Sequence, residues 1–468
     1  MVCVTNQWKR TSLQLDFLKR IWQHLDKDHQ AIQSDILDIL SSKLRSAISK
    51  LNDLKKPRGQ STEGQEVGVR RWKFVLVKER LDKVIQDLAK WQQMFDPSWF
   101  LIMKVANPFI DEELGKHELG KNESNAAASV NANGFRNAAK QEPRPTQSIF
   151  LPEDGLKSAL IQDIMYSPAK YVQRAGSDKW LVVDRILCDA DADVALVRRD
   201  VRTLAQKLSC GDPHKFGLLQ CRGVIQSSKD GSGRTFSFQI VFHTPKEFTG
   251  TPDTLRSILA SRKSHALTES FGLAKQLARA INYMHTLGFV HKNVRPETIL
   301  AFKTQDSTLG LLFLVGFEQV RVADGRTLRK GDAAWEKNLY RHPDRQGLRL
   351  DKIYTMQHDI YSLGVCLLEV GLWDSFVSYK HDGTATVLGE ALGLTSESSE
   401  FQTPGLLKDH LVALAKRILP ERMGDIYTKI VVSCLTCLDK DNLDFGDPSE
   451  FEDADGVLVG VRYIEKVC

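Results

Sequence analysis

Apolar residues at helical spacing run through the first part of the chain. Leu13, Phe17, Ile21 and Leu25 recur every four residues, and Ile32, Ile36, Leu40, Leu44, Ile48 and Leu51 continue the interval. That spacing places them on one face, with Lys, Arg, Asp and Gln opposite, and predicts helix over residues 6–56. Lys55-Lys56-Pro57-Arg58-Gly59 ends it, because Pro and Gly stop a helix, and residues 60–68 form a polar loop. Trp72, Leu76, Leu81, Val84, Leu88 and Trp91 mark a second helix over 69–95; Asp96-Pro97-Ser98 breaks it and starts a third segment, 99–114. One stripe cannot bury itself, so residues 1–114 are expected to form an all-α helical bundle, or to pack on a partner.

The pattern then changes. Residues 115–147 are rich in Asn, Ala, Ser, Gly and Lys with few large apolar side chains, which is the composition of a flexible linker. From residue 148 onward, strand patterns precede helical ones. Trp180-Leu181-Val182-Val183-Asp184-Arg185 reads as a strand and 193–208 as a helix. Residues 218–225 and 235–242 read as an antiparallel pair around a Gly-containing turn, with a hinge at 243–250. Phe271, Ala274, Leu277, Ile281 and Met284 lie on a helix, 309–315 on an apolar strand, and Leu411, Leu414, Ile418, Ile426, Ile430, Cys434 and Leu438 on closing helices. The expected architecture is α+β over 148–468, behind a separate all-α domain.

Composition adds limits. A chain of 468 residues with 42% hydrophobic and 26% charged residues is long enough for two or three domains, and no run approaches a membrane span. The first residues lack the layout of a secretory signal, and eight cysteines form no disulfide framework, so the expectation is a reduced, cytoplasmic protein. Cys434-Leu435-Thr436-Cys437 is a lone C-x-x-C and reads as buried thiols. Residues 1–104 carry 19 Lys and Arg against 12 Asp and Glu, and residues 439–455 hold eight acids and one Lys. The basic excess suits solvated helix faces or an anionic membrane surface, and suggests no specific nucleic acid.

The chemistry concentrates after the helix ending near Met284. His291-Lys292-Asn293-Val294-Arg295-Pro296-Glu297-Thr298 resembles the catalytic loop of the protein kinases, H-R-D-x-x-x-x-N. Gly316-Phe317-Glu318 stands where that family has D-F-G, His342-Pro343-Asp344 is similar to its A-P-E, and Asp359-Ile360-Tyr361-Ser362-Leu363-Gly364-Val365 to its D-x-W-S-x-G-V. The resemblance covers roughly residues 170–440. It implies a bilobal kinase-like fold in which His291, Phe317, Pro343 and Asp359 are structural, with Asp359 accepting hydrogen bonds from the catalytic-loop backbone.

The same resemblance marks losses. Asn293 replaces the catalytic Asp, with Arg295 beside it on the loop; Thr298 replaces the metal-binding Asn, and Gly316 the metal-binding Asp. Arg185 is expected at the place of the phosphate-binding Lys and Asp200 at that of its Glu partner, as an ion pair at the nucleotide site. The glycine-rich loop G-x-G-x-x-G is missing ahead of the third strand, where only Gly155 and Gly176 occur. Asn293 cannot take a proton, and loss of a general base alone costs ~10²–10⁴-fold. A pseudokinase with weak or absent phosphotransfer is expected, with no certain cofactor. The alternatives are an atypical ATP- and magnesium-dependent serine/threonine kinase recruiting Glu318, and a scaffold that only binds proteins.

The N-terminal helices, a linker and a degenerate kinase domain are together similar in layout to fungal proteins that join a HeLo-type bundle to a kinase-like domain. In layout the chain also resembles the mixed-lineage kinase-like executioners of cell death. That resemblance implies a regulatory pseudokinase that controls a helical signalling domain. Partners would be proteins or a second copy, met through the N-terminal helices, or a membrane touched peripherally. The first helix departs from the HeLo pattern by lacking a long small-and-apolar segment at its start. Thr327 is an activation-segment candidate for phosphorylation.

Overall fold

The computed structural model describes residues 12, 14–25, 27–54 and 109, then 148–188, 193–209, 213–229, 235–245, 248, 250–304, 307–317, 321–322, 330–332, 334–349, 354–379 and 386–442. The expected helix at 69–95, the segment 99–114, the linker 115–147, Glu318 and Thr327 fall outside these, apart from Phe109. The chain divides into two compact units, residues 1–133 and 134–468.

In the first unit the expected helix over 6–56 is interrupted. Helix α1 covers 14–21 and leads into a 3-10 turn, Trp22–His24; Leu25 is extended at φ −84°, ψ 143°, and α2 then runs over Lys27–Leu54. The Gln30 side chain holds the break, its Nε2 donating to the Trp22 and Leu25 carbonyls at 2.7 and 3.1 Å. Such a bond satisfies carbonyls that the helix end leaves open. Of the apolar stripe, Phe17, Ile21, Leu25, Ile36 and Leu40 are buried, whereas Leu44 is exposed. His24 stacks on Phe109 at 3.9 Å between ring centroids.

The second unit starts with a six-stranded sheet: β1 (Phe150–Leu151), β2 (Leu160–Asp163), β3 (Lys170–Gln173), β4 (Trp180–Leu187), β5 (Cys221–Lys229) and β6 (Thr235–His243). Its order is β1-β5-β6-β4-β3-β2, antiparallel except for the β1–β5 pair. Helix α3 (Val194–Ser209) presents Val201, Leu204, Ala205 and Leu208 to the core. The sheet ends at His243 and β7 (Asp253–Thr254) opens the helical part, so the crossing uses 244–252, close to the expected hinge. There α4 (Leu255–Ala260), α5 (Leu267–Thr286), β8 (Phe289–Val290), β9 (Ile299–Thr304) and β10 (Ser307–Leu314) build a platform on α6 (Met356–Leu372).

Helix α6 is buried on every side from Gln357 to Leu372, which fits its apolar run over 363–368. At Gly364 any Cβ would lie 2.8 Å from the Cβ of Cys434. Glycine there lets α6 pack closely against α7 (Pro404–Leu435), which is interrupted at Gly424, φ 80°. Cys434 and Cys437 are buried thiols, and Cys437 Sγ donates to the Gln357 carbonyl at 3.1 Å. No helix among the described residues is long and apolar enough to cross a membrane.

Candidate functional site

The loop after β8 is held from below by one carboxylate. Asp359 near the start of α6 accepts from the backbone N–H of His291 at 2.7 Å and of Lys292 at 2.8 Å. Its oxygens also meet His285 Nε2 at 3.1 Å and the Tyr354 hydroxyl at 2.6 Å. Burial raises the Asp359 carboxyl, but the His285 and Tyr354 bonds and the neighbouring histidines outweigh it and hold the group below its ordinary value. These bonds fix Lys292 at φ 64°, a left-handed conformation that a residue with a side chain adopts only when its surroundings impose it.

His291 is fully enclosed. Its Nε2 donates to the Val315 carbonyl at 3.0 Å, while its Nδ1 accepts from the Asn293 N–H at 3.3 Å, which together define a neutral ring. Burial pushes it down to about 4, in agreement. The ring packs edge-on against Phe317, 5.1 Å away, and Phe317 reaches Phe242 of the sheet at 5.8 Å.

Asn293, Arg295, Thr298 and Gly316 are bound to one another. Asn293 Nδ2 donates to the Gly316 carbonyl at 3.1 Å, and Asn293 Oδ1 accepts from Arg295 Nε at 2.9 Å. The Thr298 hydroxyl lies 2.7 Å from the Asn293 carbonyl and 2.9 Å from that of Arg295. Gly316 sits at φ 85°, and a Cβ there would lie 2.7 Å from the Cβ of Thr298, with Thr298 Cγ2 nearer still. Thr298 thus occupies the space that a carboxylate side chain at 316 would need.

The register of β4 corrects the expectation for Arg185. Asp184 is buried and Arg185 exposed, on opposite faces of the strand as the pleat requires. The inward residue is the acid, and its Oδ2 accepts from the N–H of Gly316 at 2.8 Å and of Phe317 at 2.7 Å. The expected Arg185–Asp200 pair is therefore not formed: Arg185 faces away, and the buried Asp200 carboxylate lies 3.4 Å from the adjacent Arg199. Pro343 opens a short 3-10 turn, in which His342 Nδ1 accepts from the Asp344 N–H at 3.2 Å.

A buried charge cluster lies on the other side of the loop. Arg256 of α4, fully enclosed, donates through Nε to Glu297 at 2.9 Å and through Nη1 to Glu369 at 2.8 Å. It also bonds Ser375 and Tyr340, and the Tyr340 hydroxyl donates to Glu369 at 2.9 Å. Burial pushes both carboxyls up. At Glu297 the Arg256 and Arg295 guanidiniums outweigh it and the group stays below its ordinary value, while at Glu369 burial wins. Sequence reasoning missed Asp184, Arg256 and Glu369. The available signal was a Glu on the otherwise apolar α6, since a buried acid needs a partner.

Two proteins are similar to part of the chain. One, of Encephalitozoon cuniculi, is named as a cell division protein kinase and is 27% identical over 137 residues, covering 29% of this chain and 38% of its own length. The other, of Mycoplasma pneumoniae, is named as a serine/threonine-protein kinase and is 29% identical over 128 residues, covering 25% and 33%. The fold is protein kinase-like. The chain spans 38% and 33% of the length of these curated relatives, and no family model matches it. Among the described residues, no group of three or more His, Cys, Asp or Glu could hold a metal ion.

Proposed function

We propose that residues 148–468 form a regulatory pseudokinase that performs no phosphotransfer and controls the N-terminal helices. The observation that carries this reading is the Asp184 clasp. On the strand where the kinase resemblance requires a phosphate-binding cation, the inward side chain is a buried carboxylate, bonded to the Gly316 and Phe317 N–H groups. A carboxylate there repels nucleotide phosphates, and Gly316 supplies no ligand to a magnesium ion that would offset the charge. Asn293 has no basic lone pair and both ends of its amide are engaged, so it cannot take a proton from a substrate hydroxyl.

Control of the N-terminal part, through protein contacts or an anionic membrane surface, is supported by the apolar stripe and basic excess of residues 1–104. The names of the two relatives favour a second reading, an ATP-dependent protein kinase. Thermal melting of the full chain with ATP, with and without magnesium, separates the two. The pseudokinase reading expects no magnesium-dependent rise in melting temperature. A rise that needs magnesium, with phosphate incorporation that disappears in Asn293→Ala, would establish the second.

A further inference from the structure

The turn between β2 and β3, residues 164–169, stands ahead of β4, where the kinase resemblance puts a glycine-rich loop, yet it reads Ile-Met-Tyr-Ser-Pro-Ala. It is fastened to the helical part of the unit. The Met165 carbonyl accepts from Thr254 Oγ1 at 3.0 Å, at the start of α4. Gln162 on β2 bonds Thr251 at 3.1 Å, and Ile164 is buried at 2% exposure. Tyr166 stacks on Tyr379, with ring centroids 4.4 Å apart and planes at 25°. The Tyr379 hydroxyl in turn donates to Glu297 at 3.1 Å, which joins the turn to the catalytic-loop frame and the Arg256 cluster.

Tyr166 has φ 64°. A bulky side chain is disfavoured in this region and persists only where contacts hold it, so the turn keeps its shape because its ring is docked. A glycine would take the same conformation without cost and without a ring to anchor.

We propose that residues 164–169 are an intramolecular strap that holds the sheet and the helical part together across the cleft, latched by Tyr166 on Tyr379. The strap deepens the pseudokinase reading, because it supplies a position from which a signal could release the closed unit, but its geometry does not depend on that reading. A strap makes a prediction that a local turn does not: releasing it is expected to loosen another contact that spans the cleft, the Asp184 bonds to the Gly316 and Phe317 N–H groups.

The test is hydrogen exchange on the full chain as wild type, Tyr166→Ala, Tyr379→Ala and Tyr379→Phe. An aromatic pair contributes about 0.5–1.5 kcal/mol, so breaking it is expected to speed exchange of the 164–169 amides by about 2- to 10-fold. The two alanine variants should give the same effect and their double variant no more, while Tyr379→Phe, which keeps the ring, should give less. Exchange at Gly316 and Phe317 should rise with that of the turn. Unchanged exchange at 164–169 in Tyr379→Ala overturns the latch, and a faster turn with unchanged Gly316 and Phe317 reduces it to a local feature and overturns the strap. Phosphate incorporation by any of these proteins would count against the pseudokinase reading and leave the strap standing.

Discussion

A methyl group at Gly316 probes its close packing against Thr298. Two costs meet there. The φ of 85° is left-handed, which disfavours a side chain by about 1–2 kcal/mol, and the new Cβ would lie 2.7 Å from the Cβ of Thr298, a branched atom that cannot swing away. Overpacking of this kind costs about 1–3 kcal/mol. Gly316→Ala is therefore expected to destabilise the unit by about 2–5 kcal/mol, read as a fall in the urea midpoint at constant slope. Gly250 provides the control. It has φ 81° with nothing within 4 Å of the added Cβ, so Gly250→Ala carries the conformational cost alone. Thr298→Ser in the Gly316→Ala background removes Cγ2 but not Cβ and should recover part of the loss. Equal costs at 316 and 250 would refute the steric argument. The same geometry predicts that Gly316→Asp, even with Asn293→Asp, gives no magnesium-dependent melting shift with ATP. The new carboxylate has no room and adds a second negative charge beside Asp184.

Arg256→Met leaves Glu297 and Glu369 buried without their cation and should cost about 3–5 kcal/mol, recovered in large part when Glu297→Gln and Glu369→Gln are added; a loss below about 1 kcal/mol in urea unfolding would contradict the cluster's role. Among the described residues nothing hydrogen-bonds the buried Tyr361 hydroxyl, so Tyr361→Phe should be neutral or stabilising by about 1 kcal/mol, and a clear loss in melting temperature would show that the hydroxyl is bonded. Burial lowers His291 to about 4 and His358 to about 3 from an ordinary 6.5, so both are neutral in the fold. The unfolded chain then binds more protons below 6.5. Their contribution is complete above that pH and is lost as pH falls toward 4, by about 3 kcal/mol for His291 alone. Asp359, held low, adds a loss of the same sign at lower pH, and Glu369, held high, opposes it. A urea midpoint that stays flat from about pH 7 to about pH 5 would exclude this linkage.

Much of the frame was legible because its signals are local. The stripe of Phe17, Ile21 and Leu25 and the apolar run of α6 over 363–368 each follow from period and burial. The order His291, Phe317, Pro343 and Asp359 along the chain needed no three-dimensional knowledge. The break at Leu25 was not legible, since helical spacing continues through it and the Gln30 side chain that supports the turn is unremarkable in sequence. The face of β4 failed for a clear reason. Leu181, Val182, Val183 and Asp184 are all buried, so alternation does not show which side meets the cleft, and a basic residue at 185 invited the wrong register. The Arg256 cluster joins residues 113 apart in the chain, and only the folded structure brings that guanidinium to Glu369.

Under the pseudokinase reading, the groups in the cleft fit one another rather than standing as separate changes. A kinase-like site would set a cation on the third strand and a carboxylate after β10, with a metal ion between lobes. In this chain the carboxylate stands on the strand, as Asp184, and two backbone N–H groups face it at 2.8 and 2.7 Å. Backbone donors toward a buried carboxylate supply, without any ion, part of the stabilisation that a cation would give. Gly316 then suits its place twice, because its φ turns the N–H toward Asp184 and its missing side chain leaves room for Thr298. Thr298 in turn closes the loop onto the Asn293 carbonyl. A single substitution toward the kinase pattern therefore meets a neighbour already bonded in this arrangement. Asp184→Lys alone would bring a cation against two N–H donors and should destabilise the closed unit before it could recruit a nucleotide.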